Sequence, residues 1–467
     1  MDAAQTNTDV SLHLACPGCV AAAKRIADLE ARIILLEQKL EAALRSGKRQ
    51  AAPFSRGLPK LDPKRPGRKS GEDYGTKAFR GVPPVIDEIH DAPLPRRCPR
   101  CGGRQFIDPS VEHQYQVEIP RRPIYRQFNV AVAYCTCCGR RVQGRHPLQT
   151  SNALGCCASQ VGPEAQAAAV MLNKELGLSQ GKISRFFQMF FGIKLSRGGS
   201  CQIMLRAAQG CQGNYQAIVR RVQQSPWIVP DETGWRIGGW LAWLHVAVTP
   251  DAVAYLIARR RGVEASALLI GKDYAGKLIH DGWASYDWFW RAIHQTCVGH
   301  LLRRCHELLE QARRGAVIFP RKVQALLQES LQVRDDRDAR RLTVAAAKAK
   351  AGELDQRMEK LLEPVKTHAA NERLAAHLWK HRGQLFAFLR HKGIDATNWR
   401  AEQALRPAVV NRKVWGGNRT EAGAVAQSIL MSVLFTAAKL KRDGLQFVSH
   451  VLCSPHGHRP MLLPGTG

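Results

Sequence analysis

The spacing of apolar residues along the chain changes character several times, and each change predicts an element or a break. Ile26, Leu29, Ile33, Leu36, Leu40 and Ala43 recur in alternating steps of three and four within residues 20–44, with Glu30, Glu37, Lys39 and Glu41 off the seam. That spacing predicts a helix with a heptad stripe. It is either a short dimerising coiled coil or an amphipathic helix packed on its own domain. Residues 45–70 carry no period. Pro53, Pro59, Pro63 and Pro66 break them, and nine Lys or Arg stand there against the single acid Asp62. Such a tract buries no core, so it reads as a linker, either an arm lying along phosphates or a solvated tether.

A helical period returns at Ala165, Ala169, Leu172 and Leu176. Gly177-Leu178-Ser179 then predicts a turn, and Lys182 to Phe191 a second helix. This is helix–turn–helix spacing. From 226 the pattern favours strands: Trp227-Ile228-Val229 leading into Asp231, Trp240 to Val248, Ala252 to Ala258 after the turn Thr249-Pro250-Asp251, and Leu278 to Asp281. Pro230 suits a central strand poorly, so the first strand is expected to end a residue early or to bulge there. Residues 300–392 read as nearly all helix, and 398–452 as largely helical. Antiparallel-type strands, one further strand and then helices predict an α/β fold with a mixed sheet.

Charge narrows the function. Lys and Arg total 69 against 39 acids, a net +30, and such a field draws polyanions. Nucleic acid is the expected partner. Met1 to Gln5 offers no basic start to an apolar stretch, so no secretory signal is expected. Ala424 to Ala438, interrupted by Gln427 and Ser428, reads as a buried helix and not a membrane span. The expected setting is the cytoplasm. The 14 cysteines then stay reduced, and CxxC pairs read as metal or redox sites. Cys98-Pro99-Arg100-Cys101 and Cys135-Thr136-Cys137-Cys138 supply two such pairs. Cys98, Cys101, Cys135 and Cys138 suit a closed structural Zn²⁺ in a module too small to fold on apolar burial alone. Cys137 could replace Cys135 or Cys138, or stand by. Cys16 and Cys19 form a lone pair, read as completing a site across a dimer or as inert. Arg96, Arg97, Arg100 and Arg104 around the first pair suit a DNA backbone contact.

Two aspartates, Asp231 and Asp281, close short apolar strands. Taken alone, each reads as a strand-end turn residue sooner than a ligand, but neighbouring strand ends can bring such carboxylates to one edge of a sheet. There, hard oxygen ligands suit magnesium, and a pair of ions requires a third carboxylate from elsewhere. Alternation points Glu232 away from Asp231. The Trp residues 235, 240, 243, 283, 288 and 290 read mostly as core, with one near the active edge able to stack on an unpaired base.

Asp231-Glu232-Thr233, His280-Asp281-Gly282, Cys297-Val298-Gly299-His300-Leu301-Leu302-Arg303 and the run Asn398 to Pro407 (Asn-Trp-Arg-Ala-Glu-Gln-Ala-Leu-Arg-Pro) resemble, in order and spacing, the insertion-sequence transposases called TnpC, the "sixty-six" group of DDE type. The likeness covers roughly residues 20–455. It implies a ribonuclease-H-like core in which Asp231, Asp281 and Glu402 bind magnesium or manganese, with 304–395 a helical insertion ahead of the Glu402 helix. Gln403 stands where the family often has Arg, a change that touches a DNA contact or ion pair and spares metal binding. Glu421 lies outside the motif.

His300 and Arg303 either face the metal site and DNA or pack and cap a helix. Arg406, Arg412 and Lys413 either hold flanking phosphate or form a solvated basic face. The expected domains are 1–44 (CxxC pair and coiled-coil helix), 45–94 (basic linker), 95–150 (four-cysteine module), 160–225 (helical DNA-binding region), 226–303 (first part of the core), 304–395 (insertion) and 396–455 (completion of the core). The expected function is cleavage of element ends and joining of the 3′-OH to target DNA, by a homo-oligomer acting on double-stranded DNA, with or without helper proteins. The rivals are a zinc-containing DNA-binding regulator or inactive relic, and a nuclease with no joining step.

Overall fold

The structure, a computed structural model, describes residues 21–22, 25–33, 36–37, 82–107, 110–120, 122–154, 160–311, 313–455 and 458–463. The chain divides into two units, Met1–Val117 and Glu118–Gly467. In the first unit the described residues of 21–37 are helical. Ile26, Leu29, Ile33 and Leu36 are each more than half exposed, so this stripe is open and is not packed on its own unit. Leu40, Ala43, Cys16, Cys19 and the tract 45–70 lie outside the described residues. The Cys98 pair sits on a tight turn in which the Gly102 N–H donates to the Cys98 carbonyl and the Cys98 N–H to that of Gly103. The expected module 95–150 runs across the boundary between the units.

The second unit opens with a hairpin, β1 (Val132–Tyr134) and β2 (Arg141–Gln143), whose turn carries Cys135 to Gly139. Its bonds repeat those of the Cys98 turn, from the Gly139 N–H to the Cys135 carbonyl and from the Cys135 N–H to that of Arg140. Four helices follow: α1 (Pro163–Lys174), α2 (Gln180–Phe191), α3 (Arg197–Gly210) and α4 (Gln212–Gln223). Ser179 caps α2 by accepting from the Lys182 N–H at 3.4 Å, which stops α1 and starts α2 where the turn was expected.

The chain then builds a five-stranded mixed sheet. Its strands are β3 (Trp227–Ile237), β4 (Trp240–Val248), β5 (Val253–Ala258), β6 (Lys277–His280) and β7 (Ile293–Thr296), with α5 (Val263–Ile270) between β5 and β6. The order is β5-β4-β3-β6-β7, antiparallel from β3 to β5 and parallel from β3 to β7. The remaining helices are α6 (Val298–Gln311), α7 (Ile318–Asp338), α8 (Val344–Leu362), α9 (Ala369–Lys380), α10 (Ala387–Arg390), α11 (Trp399–Trp415), α12 (Glu421–Lys439) and α13 (Gly444–Cys453).

Strand alternation gives the sheet two buried faces. Val229, Trp235, Leu244 and Val246 join Val298, Leu301, Ala401 and Leu405 in one core, which continues into α7 and α8. Ile228, Ala247, Ala254 and Leu278 join Ile218, Val222, Leu430 and Leu434 in the other. The edge strand β5 is closed by α12. Ser428, Ser432 and Thr436, spaced one turn apart, accept from the N–H groups of Ile257, Tyr255 and Val253 at 2.8–3.0 Å. A row of donors otherwise open to another chain is thereby satisfied. Among the described helices α12 alone is long and apolar enough to cross a membrane, and two thirds of that stretch is buried.

Two expectations are corrected here. β3 neither stops nor bulges at Pro230, which pairs in register with Ala247. The Lys277 N–H donates to the Pro226 carbonyl, so the even residues of β3 turn their backbone toward β6. The next donor after Ile228 in that series falls on proline, which has none, and the β3–β6 ladder ends at Ile228. Nor are the tryptophans mostly core. Trp235 is buried, but Trp240, Trp288 and Trp290 are exposed.

Candidate active site

The register that ends at Ile228 and Leu278, continued three residues along both parallel strands, sets Asp231 beside Asp281. Asp231 directly follows Pro230 and Asp281 directly follows His280, and the pairing of the two strands stops short of both. Glu402 arrives from α11. The Val298 N–H at the start of α6 donates to the Ala396 carbonyl at 2.9 Å, and the Cys297 N–H to the His280 carbonyl at 2.7 Å. The Asn398 N–H meets the Cys297 sulfur at 3.4 Å. These bonds tie the end of the helical segment back to the end of β6 and start α11 beside the two aspartates.

The carboxylates feel one another. Burial, and then the charges of Glu232, Asp281 and Glu402, push the Asp231 carboxyl up to about 8. Each carboxyl also has a local partner. Asp231 accepts from the Glu232 N–H at 2.9 Å, and Asp281 from the Trp283 N–H at 2.9 Å. Glu402 Oε1 lies 3.3 Å from His300 Nε2. Among the described residues no three His, Cys, Asp or Glu side chains converge as a ready metal-ligand set. The three acids therefore lie within electrostatic reach without aiming at one point. Their chemistry nonetheless fits a hard divalent cation: oxygen donors, crowded and only partly exposed, whose mutual repulsion a cation relieves.

The loop after Asp281 is held from behind. The Gly282 N–H donates to His280 Nδ1 at 3.1 Å, so the proton of this ring lies on Nε2, which meets His294 Nδ1 at 2.9 Å. The His294 proton in turn lies on Nε2 and reaches the Phe289 carbonyl at 2.9 Å. Both rings are thus neutral in fixed tautomers, and burial lowers both pKa values. Gly282 has φ +88°, and a Cβ there would stand 3.0 Å from the His377 ring. Glycine is the residue this turn takes without strain.

Glu232 does face away from Asp231. Its nearly inaccessible carboxylate accepts from Arg261 Nη2 at 2.6 Å and from the Tyr286 hydroxyl at 2.6 Å. The Arg261 guanidinium stacks between Trp243 and Trp283, 4.2–4.8 Å from the ring centroids. This brace joins β3 to the loop following Asp281. Its sequence signal was only the acid beside Asp231; Arg261 and Tyr286 carried none.

The cations expected to touch DNA are spread along α6 and α11. Arg303 and Arg406 are exposed, while Arg412 and Lys413 are partly buried. Arg412 Nη1 reaches Thr233 Oγ1 at 3.4 Å, on the same face of β3 as Asp231. His300 points to Glu402, and its Nδ1 is buried without a partner, as are both side-chain polar atoms of Asn398.

No curated protein matches the chain. The family model described as "Transposase IS66 family" matches residues 158–426, more than half of the chain, and spans Asp231, Asp281, His300 and Glu402. The chain belongs to the IS66 family of transposases.

Proposed function

We propose that the chain is a DDE transposase that cuts the ends of its DNA element and joins the freed 3′-OH to target DNA, with Asp231, Asp281 and Glu402 as the catalytic carboxylates. The observation carrying this reading is the β3–β6 register that, continued, sets Asp231 beside Asp281, with Glu402 near enough that its charge, after desolvation and the charges of Glu232 and Asp281, helps to raise the Asp231 carboxyl to about 8. The sheet supports it too. Three antiparallel strands followed by two parallel ones, with acids in the first and after the fourth and a third on a later helix, is the layout expected of a ribonuclease-H-like core.

The three carboxylates would hold magnesium or manganese. A divalent cation bound there would polarise the scissile phosphate and lower the pKa of an attacking water. His300 orients the Glu402 carboxylate, and Arg406, Arg412 and Lys413 hold flanking phosphates. Hydrolysis breaks one P–O bond at the element end and leaves a 3′-OH. That hydroxyl then attacks a target phosphodiester, forming one P–O bond as another breaks, so joining consumes no nucleotide. α1 and α2, spaced as a helix–turn–helix, would grip element-end DNA, and the open Ile26-to-Leu36 stripe would pair copies into a homo-oligomer.

The Cys98–Cys101 pair and the Cys135–Cys138 pair are each proposed to offer two thiolates to structural zinc. Backbone N–H groups of Arg100 and Cys101 lower the pKa of the Cys98 thiol, and those of Cys138 and Cys137 lower that of Cys135, favouring the thiolates that zinc takes.

The deciding test is cleavage of element-end DNA with Mg²⁺ or Mn²⁺. The wild type should nick at the 3′ end and join pre-cleaved ends to a plasmid, while Asp231→Ala binds the DNA and does neither. Binding without cleavage by the wild type would leave a DNA-binding regulator or relic. Cleavage without joining would leave a nuclease.

A further inference from the structure

We infer that the tip of the β3–β4 hairpin is a DNA wedge, with Trp240 inserting between base pairs of the bound element end about six base pairs from the scissile phosphate. The inference rests on the reading above and deepens it by naming a contact at a distance from the chemistry.

The tip is built to display an aromatic side chain. Gly238 and Gly239 both have positive φ, +60° and +85°, which gives the tight two-residue turn that matches strand twist. Beyond it Trp240 is 76% exposed and Leu241 59%. Single exposed apolar residues are ordinary, but this pair sits on a turn held fast. The Gly238 N–H donates to the Asn418 carbonyl at 2.8 Å, and the Asn418 N–H to that of Arg236 at 2.9 Å. Trp235 Nε1 reaches Asn418 Oδ1 at 2.8 Å, and Arg236 Nη1 folds back to the Gly239 carbonyl at 2.8 Å. An aromatic presented on a braced turn loses little entropy on binding.

The surroundings point to a polyanion. Arg236 and Arg419 flank the tip, and Arg412 and Lys413 follow on α11. Arg259 is paired with Glu421, so the acid on this side is already matched. Apolar wedges flanked by cations are a recurrent way to unstack and bend a duplex.

Two rulers give the spacing. β3 runs from Asp231 to Ile237, the partner of Trp240, a span of roughly 20 Å at ~3.4 Å per residue. α11 runs alongside from Glu402 to Trp415, whose ring packs edge-on against Trp235. At ~1.5 Å per residue the helix itself covers roughly 20 Å, and the chain just beyond it reaches the tip through Asn418, which bonds Arg236 and Gly238. For a duplex lying along β3, at ~3.4 Å per base pair, the tip meets it about six base pairs from the bond that Asp231 and Glu402 attend.

The test uses the full chain and a duplex carrying the element end, with thymines placed singly at successive positions and probed by permanganate, which oxidises unstacked thymine. The wild type should make one step hyper-reactive about six base pairs from the cleaved bond. Trp240→Ala should abolish that signal and slow cleavage several-fold at unchanged melting temperature. Trp240→Phe should keep most of it. Trp290→Ala, which removes an equally exposed tryptophan (80%) from another loop, should leave it intact. If the wild type cleaves with no hyper-reactive step in that window, or if Trp240→Ala matches the wild type, the wedge is wrong and the transposase reading stands. If the wild type does not cleave at all, both fall.

Discussion

Asp231 turns its surroundings into a pH signature. Its carboxyl moves from an ordinary 3.8 to about 8 in the fold, first by burial and then by neighbouring acids. The folded chain therefore binds a proton that the unfolded chain has released between those values. The stability this confers is complete below the unfolded value and is lost as pH rises through about 8. In chelator, the melting temperature should fall from about pH 5 to about pH 9, and Asp231→Asn, neutral throughout, should flatten that fall. Mg²⁺ or Mn²⁺ should restore the wild type at the alkaline end and do little for the variant. A wild-type curve as flat as that of the variant would remove the electrostatic case for the site.

His300 supports a second test at the same scale, because it touches Glu402. His300→Gln should cost roughly 10–100-fold in cleavage, the usual loss when the group orienting a ligand is removed, with DNA affinity by anisotropy unchanged. A parallel loss of affinity would mean that His300 contacts DNA instead. Both aspartates were legible as acids closing apolar runs. The partner of Glu402 was not, since a histidine on a helix reads equally well as a cap.

Elements meet where the sequence gives least warning. Gln295 shows why β7 escaped notice. Its strand reads Ile-His-Gln-Thr, without an apolar run, because the buried Gln295 amide donates to the Leu385 carbonyl at 3.0 Å and accepts from the Phe388 N–H at 2.9 Å. A polar strand pinned to a distant helix carries no period of its own. Glu402 was out of reach of local reading for a related reason. α6 to α10 separate it from β7, and only contacts such as Val298 to Ala396 return it to the sheet.

The joint between α1 and α12 was equally hidden and can be tested. Lys174, wholly buried, donates to Gln427, and burial lowers its pKa from 10.5 to about 7. Here the folded chain binds fewer protons than the unfolded one between those values, so wild-type stability should rise with pH from about 7 to about 10.5. Lys174→Met leaves Gln427 without its donor, a cost of about 1–3 kcal/mol that is present at every pH. It also removes the buried charge, a relief felt only toward acid. Urea melts should show the variant losing ground to the wild type as pH rises. Parallel curves would mean that the ammonium keeps its charge through a path to solvent.

For the whole molecule, the excess of 30 positive charges makes some DNA affinity inevitable, and the useful question is where it is spent. A binding constant that falls with salt reports the number of phosphates neutralised, with a slope of about −0.9 per contact on a log–log plot. Arg406, Arg412 and Lys413 share α11 with Glu402, so they should meet the backbone beside the cut bond. Removing all three should flatten the slope by about 2.7 and slow cleavage at physiological salt more than at low salt. Arg412 is the informative member. Burial lowers its pKa and its guanidinium already touches Thr233, so part of its charge serves the fold. If Arg412→Ala alone leaves the slope unchanged while lowering the melting temperature, Arg412 braces α11 against β3, and the phosphate track runs through Arg406 and Lys413.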